Sequence, residues 1–305
     1  MMNLLTPGVR VDVRAAPLCL AAVLCHAAMP ARAVPLVFDK PVQTSTGTAS
    51  FNNSSFPVIQ GLTASFTNVA TENGVTVDAR VTATVKAATD FATVGDGTVG
   101  PAGSAGYLPN YTAGAAEPND DLGFIYDGNN VGGTETGIVV LFEFFNGTGP
   151  LSGLFTTPIT VSELEFAIYD VDGGTDQTEF FRAFKADGLV SYQLGDTPQA
   201  VSATDFGAGV LFDGPGRNFP EDDASGAAIL RYSNTSRFTL DFGSNFLTDD
   251  ARDGVVTAFD GNLSLFDPDD FQPPVPVTQV PLPAGLPLLL AGLAGLGWMS
   301  RRARG

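Results

Sequence analysis

The sequence predicts an all-β protein, an antiparallel β-sandwich of jelly-roll-like type, and three observations predict it. Apolar residues recur with period two through much of residues 34–267, and no ten-residue stretch there keeps a helical period. Strand-like runs are separated by Gly, Asp and Asn turns. The chain holds 23 phenylalanines, which bring large apolar area with no polar atom to satisfy and so suit the interior of such a sandwich.

The first 33 residues read as a signal peptide. Arg10 and Arg14 precede an apolar run over residues 15–29, broken in character only by His26. Pro30 ends the run, and Ala31-Arg32-Ala33 supplies a small-x-small site, so cleavage is expected after Ala33. The only cysteines, Cys19 and Cys25, and the only histidine, His26, leave with that segment. The mature chain then has no disulfide, no Cys/His zinc site, no Ser-His-Asp triad and no thiol nucleophile.

Residues 61–70 and 75–86 form the first predicted hairpin, with Glu72-Asn73-Gly74 as its turn. In the second strand Val75, Val77, Ala79, Val81, Ala83 and Val85 alternate with polar partners. Residues 95–118 are rich in Gly, Pro, Asn and Ala, and read as a long surface loop anchored by Tyr107, Leu108 and Tyr111. Residues 137–146 are the most apolar run and the expected central strand. Leu164, Phe166 and Ile168 mark the inner face of the next strand. Residues 178–186 and 189–194 suggest a hairpin about Asp187-Gly188. Strands are further expected over 210–212, 227–232, 237–242 and 259–266. Their inner faces are marked by Phe238, Leu240 and Phe242, then by Phe259, Leu263 and Leu265. Residues 268–279, rich in proline, read as an extended stalk.

The last stretch, 280–305, has no charged side chain before Ser300 and then gives Arg301, Arg302 and Arg304 together. A helix over 286–300 is apolar on every face. It spans roughly 22 Å, or about 30 Å counted from Val280, at ~1.5 Å per residue, enough to cross a bilayer. Pro287 falls in its first turn, Trp298 sits at interface depth, and the arginines are expected to stay cytoplasmic. Val280-Pro281-Leu282-Pro283-Ala284, followed by this helix and the Arg cluster, resembles the VPLPA variant of the PEP-CTERM sorting signals of Gram-negative bacteria. The commoner motif has Glu where Leu282 stands. The resemblance implies recognition by an exosortase, a membrane processing enzyme, and release to the outer surface. It also implies a setting among extracellular polysaccharide. Pro281 and Pro283 hold the motif extended and unpaired, a form that a processing enzyme can grip.

Residues 34–284 contain nine basic and 32 acidic residues, a net charge of −23. Such a surface repels nucleic acid and anionic lipid but recruits cations. The densest acidic cluster is Asp170-Val171-Asp172-Gly173-Gly174-Thr175-Asp176, where Asp170, Asp172 and Asp176 suit a hard cation such as Ca²⁺. It is not an EF-hand, because Thr175 and Phe181 stand where that loop needs Gly and Glu. Asp-Gly pairs are also ordinary turn formers. The same two readings apply to Asp127-Gly128-Asn129-Asn130, to Glu221-Asp222-Asp223, and to Asp249-Asp250 with Asp253. Asp120 and Asp121 are weaker candidates.

The function expected is a non-enzymatic cell-surface or matrix component, with calcium as its one candidate cofactor. A carboxylate-based glycan hydrolase is the alternative from a different class. It needs two carboxylates across a cleft, and Glu143 and Glu165 are its candidates, being set in apolar strands. A glycan-binding module is the third reading. It would use Tyr107 or Tyr111, since the mature domain has no Trp and Tyr169 and Tyr192 say little.

Overall fold

The computed structural model describes residues 33–278, apart from 45–46, 52–53, 61–62, 87–88, 91–92, 95–96, 99–105, 112–119, 129–134, 175–176 and 247–253. The predicted signal peptide up to Arg32 lies outside the described residues, and so does the sorting tail with Val280 to Ala284, Arg301, Arg302 and Arg304. Among the described residues no helix is long and apolar enough to cross a membrane.

The described strands are β1 (Gly47–Phe51), β2 (Ser54–Gln60), β3 (Thr63–Glu72), β4 (Val75–Val85), β5 (Thr89–Asp90), β6 (Thr93–Val94), β7 (Gly97–Thr98), β8 (Gly106–Tyr111), β9 (Asp121–Gly128) and β10 (Glu135–Asn146). They continue with β11 (Val161–Tyr169), β12 (Gln177–Phe184), β13 (Leu189–Leu194), β14 (Ser202–Asp205), β15 (Gly209–Asp213), β16 (Ala228–Thr235), β17 (Arg237–Phe246), β18 (Gly254–Asp260) and β19 (Val275–Pro276). One sheet has seven strands in the order β14-β15-β12-β17-β10-β4-β3. The other has ten, β1-β2-β8-β9-β18-β11-β16-β13-β19 with β5 beside β9. The pair β6-β7 stands apart, and every strand pairing is antiparallel.

The predicted period-two faces meet between the sheets. Val77, Ala79, Val81 and Ala83 of β4 turn inward, as do Ile138, Val140, Phe142 and Phe144 of the interior strand β10. Leu164, Phe166 and Ile168 come from the opposite sheet. Phenylalanine rings knit the two layers: Phe142 stacks on Phe238 at 4.6 Å and on Phe259 at 5.3 Å, and Phe166 stacks on Phe259 at 4.3 Å. The turn at Asn73-Gly74 joins β3 to β4 as expected, with both residues at positive φ.

Four expectations are corrected. Within the supposed surface loop 95–118, residues 106–111 form β8, and Tyr107, Leu108 and Tyr111 are buried. A register shift between Pro109 and Tyr111 sends Tyr111 to the same outer face as Leu108, while Tyr107 enters the inner core.

The run 178–194 is not a hairpin. β12 already has β17 on one edge and β15 on the other, so the next strand cannot pair back. A 3-10 turn at Lys185–Asp187 and Gly188, at φ +97, carry the chain into the ten-stranded sheet instead. Gly188 approaches β16 so closely that a Cβ would lie 2.6 Å from the Ser233 carbonyl oxygen. From β9 to β18 consecutive strands alternate between the sheets in this way, the β14–β15 hairpin excepted.

The strand expected over 259–266 ends at Asp260. The buried Asp260 carboxylate accepts the N–H groups of Asn262, Leu263 and Leu265 at 3.0, 2.8 and 3.1 Å and turns the chain out of the sheet. Leu263, Leu265, Phe266 and Phe271 then cover the outer face of the ten-stranded sheet, over Leu108, Ile125, Tyr169 and Ile229.

The stalk expected over 268–279 is likewise docked as far as Val277. Gln272 N–H donates to the Leu194 carbonyl at 2.8 Å, Val277 N–H donates to that of Val190 at 2.8 Å, and β19 pairs with β13. Prolines do not prevent this, because an edge strand needs only one side of its backbone.

Candidate functional site

The registers of both sheets bring to one end the strand ends that flank the acidic stretches. Asp127 of β9 faces Gly254 at the start of β18, and Glu135 at the start of β10 faces Asn245 of β17. Gln177, opening β12, faces Phe246, and Leu194, closing β13, faces Ala228. The strands that flank residues 129–134, 170–176, 214–227 and 247–253 therefore all terminate at that end. Asn129, Asn130, Asp176, Asp249, Asp250 and Asp253 lie outside the described residues.

Asp170 follows β11 in a left-handed conformation, φ +60, which turns the chain toward β12. Asp172 is 3% exposed and serves as a knot. Its carbonyl accepts the N–H groups of Gly216 and Arg217 at 2.8 and 3.2 Å, and its carboxylate accepts the Phe219 N–H at 2.6 Å. Burial pushes the Asp172 carboxyl up to about 6, against the pull of the Phe219, Gly173 and Asp172 amides. Asp170 is pushed well above the usual carboxylate range by burial, then by the charges of Asp172 and Glu221.

Glu179 is the residue that the sequence reading missed. It is 6% exposed, and burial followed by Asp170 and Asp172 holds its carboxyl well above the usual range. The Asp172 and Gly173 amides donate to it, and Gln177 Nε2 donates to its Oε1 at 2.9 Å. The signal was present in the strand's parity. Glu179 shares the inward face with Phe181 and Ala183, so it points into the sandwich. The Gln177 Oε1 is enclosed with no hydrogen-bond partner. Near the same end Tyr169 donates its hydroxyl to Asp121 Oδ2 at 2.7 Å. Tyr111 is held protonated first by burial, then by Asp170, Glu221 and Asp121.

The arrangement concentrates acidic groups and amide oxygens at a partly dry end, which holds protons or attracts cations. Among the described residues no group of three or more carboxylates converges at metal-ligand spacing. A groove of about 390 Å³ lies at the same end, lined by Asp196, Asp222, Asp223, Asp269 and Asp270. Of its lining only Asp222 and Asp223 are among the sequence candidates.

The paired carboxylates of the hydrolase reading do not meet. Glu143 faces outward on the seven-stranded sheet, bound to Arg80 at 2.8 Å. Glu165 faces outward on the ten-stranded sheet, 3.8 Å from Arg231, which also pairs with Glu163. The whole sandwich separates them. Tyr107 and Tyr111, the candidates for a sugar platform, are enclosed.

No known protein-family model matches the chain, and no curated protein sequence matches it. Among solved structures the chain is similar to the N-terminal domain of the Streptococcus gordonii adhesin Sgo0707, at 13% identity and a TM-score of 0.42. The similarity covers 75% of this chain and 60% of that one, less than two thirds of its length.

Proposed function

We propose that the chain is an exported, exosortase-processed β-sandwich of the cell surface or extracellular matrix of a Gram-negative bacterium, without catalytic activity, whose acidic end takes up Ca²⁺. Its processing enzyme is an exosortase, and its surroundings are extracellular polysaccharide. Jelly-roll-like winding is supported by the alternation of consecutive strands between the sheets. The observation that carries the reading is the fate of the carboxylates. The two that a hydrolase would need lie on opposite outer faces, each beside an arginine. Three others, Asp170, Asp172 and Glu179, lie near one another at one end with no basic group among their principal neighbours. With Gln177 Oε1 they place oxygen atoms of the kind a hard cation takes at that end, although the described carboxylates by themselves do not converge at ligand spacing.

Melting the exported form in EDTA and then in millimolar Ca²⁺ tests the cation. A ligand at a hundredfold excess over its Kd adds about 2.7 kcal/mol, a rise of roughly 5–10 °C for a domain of this size. The rise should vanish in Asp170→Asn. An unchanged melt would return these residues to proton-holding turns.

Mass measurement of the surface-released form tests the address. The released chain is expected to end near Ala284, and recovery of Arg304 outside the cell would oppose exosortase processing.

A further inference from the structure

We propose that the outer face of the seven-stranded sheet is a self-association surface, on which a second copy of this chain packs sheet to sheet.

The two outer faces are finished differently. On the ten-stranded sheet Leu263, Leu265, Phe266 and Phe271 lie over the outward side chains. On the seven-stranded sheet the outward Val139 and Leu141 of β10, Phe184 of β12 and Leu211 of β15 stay half-buried, and among the described residues no apolar cluster covers them. Phe206, 42% exposed, extends this apolar strip. Its ring meets that of Phe184 edge-on at 6.1 Å. A Cβ on Gly209, which faces Phe184 across the strands, would lie 2.8 Å from the same ring. The registers join the strip to polar neighbours: Leu211, Arg182, Asp241, Val139 and Thr84 stand abreast across β15, β12, β17, β10 and β4.

Charge selects the partner. Residues 34–284 carry −23, so most of the surface of one copy repels another. On this face Arg80, Lys86, Arg182 and Arg237, four of the nine basic residues, meet Glu143, Asp187, Asp213 and Asp241, and the sum is zero. Charges farther off than about 8 Å are largely screened at physiological salt, so the balanced face is where two such bodies can approach. Because both signs are present, a copy turned about a two-fold axis brings opposite charges to the same patch. A polyanion gains nothing from a face whose charges already cancel.

The face is also preformed. Arg182 is fixed by Asp241 at 3.0 Å and lies over the Phe180 ring at 4.6 Å, with Lys86 5.3 Å from the same ring. Phe180 in turn lies over Gly243, where a Cβ would meet its ring at 2.3 Å. Side chains already held in place lose little freedom on association, and Arg and Phe are enriched where protein surfaces meet. Seven strands about 4.8 Å apart and about seven residues long make a face of roughly 750 Å². That is near the ~800 Å² that each partner buries in a stable complex.

Sedimentation of the exported form in EDTA, from about 1 to about 100 µM, provides the test. The chelator prevents calcium from bridging two acidic ends. A monomer–dimer equilibrium is expected, and Leu141→Glu and Phe206→Glu should each raise its Kd about tenfold or more. Phe206 lies in the exposed turn between β14 and β15, so its variant keeps the fold even if Leu141→Glu does not. Val275→Glu adds the same charge at the edge of the other sheet and should leave the Kd unchanged. Monomers at every concentration overturn the proposal and leave the face to a partner of other chemistry. A dimer that survives both face variants, or that Val275→Glu breaks equally, is held elsewhere and overturns it too.

Discussion

Phe142→Ala will lower the melting temperature by roughly 10 °C or more. Phe142 is on β10, an interior strand of the seven-stranded sheet, and is fully enclosed. Its ring meets Phe238 at 4.6 Å, Phe259 at 5.3 Å, Phe124 at 6.0 Å and Phe38 at 6.3 Å. Those partners come from both sheets and, with Phe38, from the segment before β1, so they cannot collapse together into the space left. A buried Phe→Ala change costs about 3–5 kcal/mol, because the transfer energy and the cavity both count. A domain of this size loses about 2–4 °C per kcal/mol. Phe206, 42% exposed, is the control, and Phe206→Ala should shift the melt by only a degree or two. Equal shifts for the two variants would contradict this packing.

In metal-free buffer the protein will be more stable at pH 5 than at pH 8. Folded Asp172 holds its proton up to about 6, against an ordinary 3.8. Between those values the folded state binds more protons than the unfolded one, so stability falls as pH rises through the window. For Asp172 alone the loss is about 3 kcal/mol once the group is ionised in both states. Asp170 and Glu179, also raised by burial, extend the fall to higher pH. Urea midpoints measured from pH 4 to pH 9 would show it. Glu179→Gln keeps an oxygen for the amides of Asp172 and Gly173 but removes the charge. It should raise the midpoint at pH 8 and flatten the profile. Asp222→Asn, an exposed change of the same charge, separates this effect from the general repulsion of an acidic surface. A midpoint that rises toward neutral pH would mean that these carboxylates are held ionised in the fold.

Much of the body was legible because strand faces are a local property. Period two placed Val77 to Ala83, Leu164 to Ile168 and Phe238 to Phe242 on the inner face without reference to any partner. The same rule applied to β12 would have placed Glu179 inside. The acidic site was half legible: Asp170 and Asp172 stand out in the sequence, while the residue buried beside them reads as one more polar position in a strand.

The sequence by itself determined the all-β class, the inward faces of the main strands, and the absence of Cys and His after residue 33. Tertiary structure alone decided where consecutive strands go. The chain leaves β12 for the other sheet because both edges of β12 are occupied, a fact set by residues some 20 to 70 positions away. It also decided which carboxylates are buried. Asp78 sits at an alternating polar position, yet it is enclosed, accepting the Asn68 and Gly153 N–H groups at 2.8 and 2.7 Å. A bulge in β3 and the loop after β10 bring those unpaired donors to it, and a buried N–H without an acceptor is costly. Periodicity records the face a residue takes on its own strand; the partners waiting on that face come from chain far away in sequence.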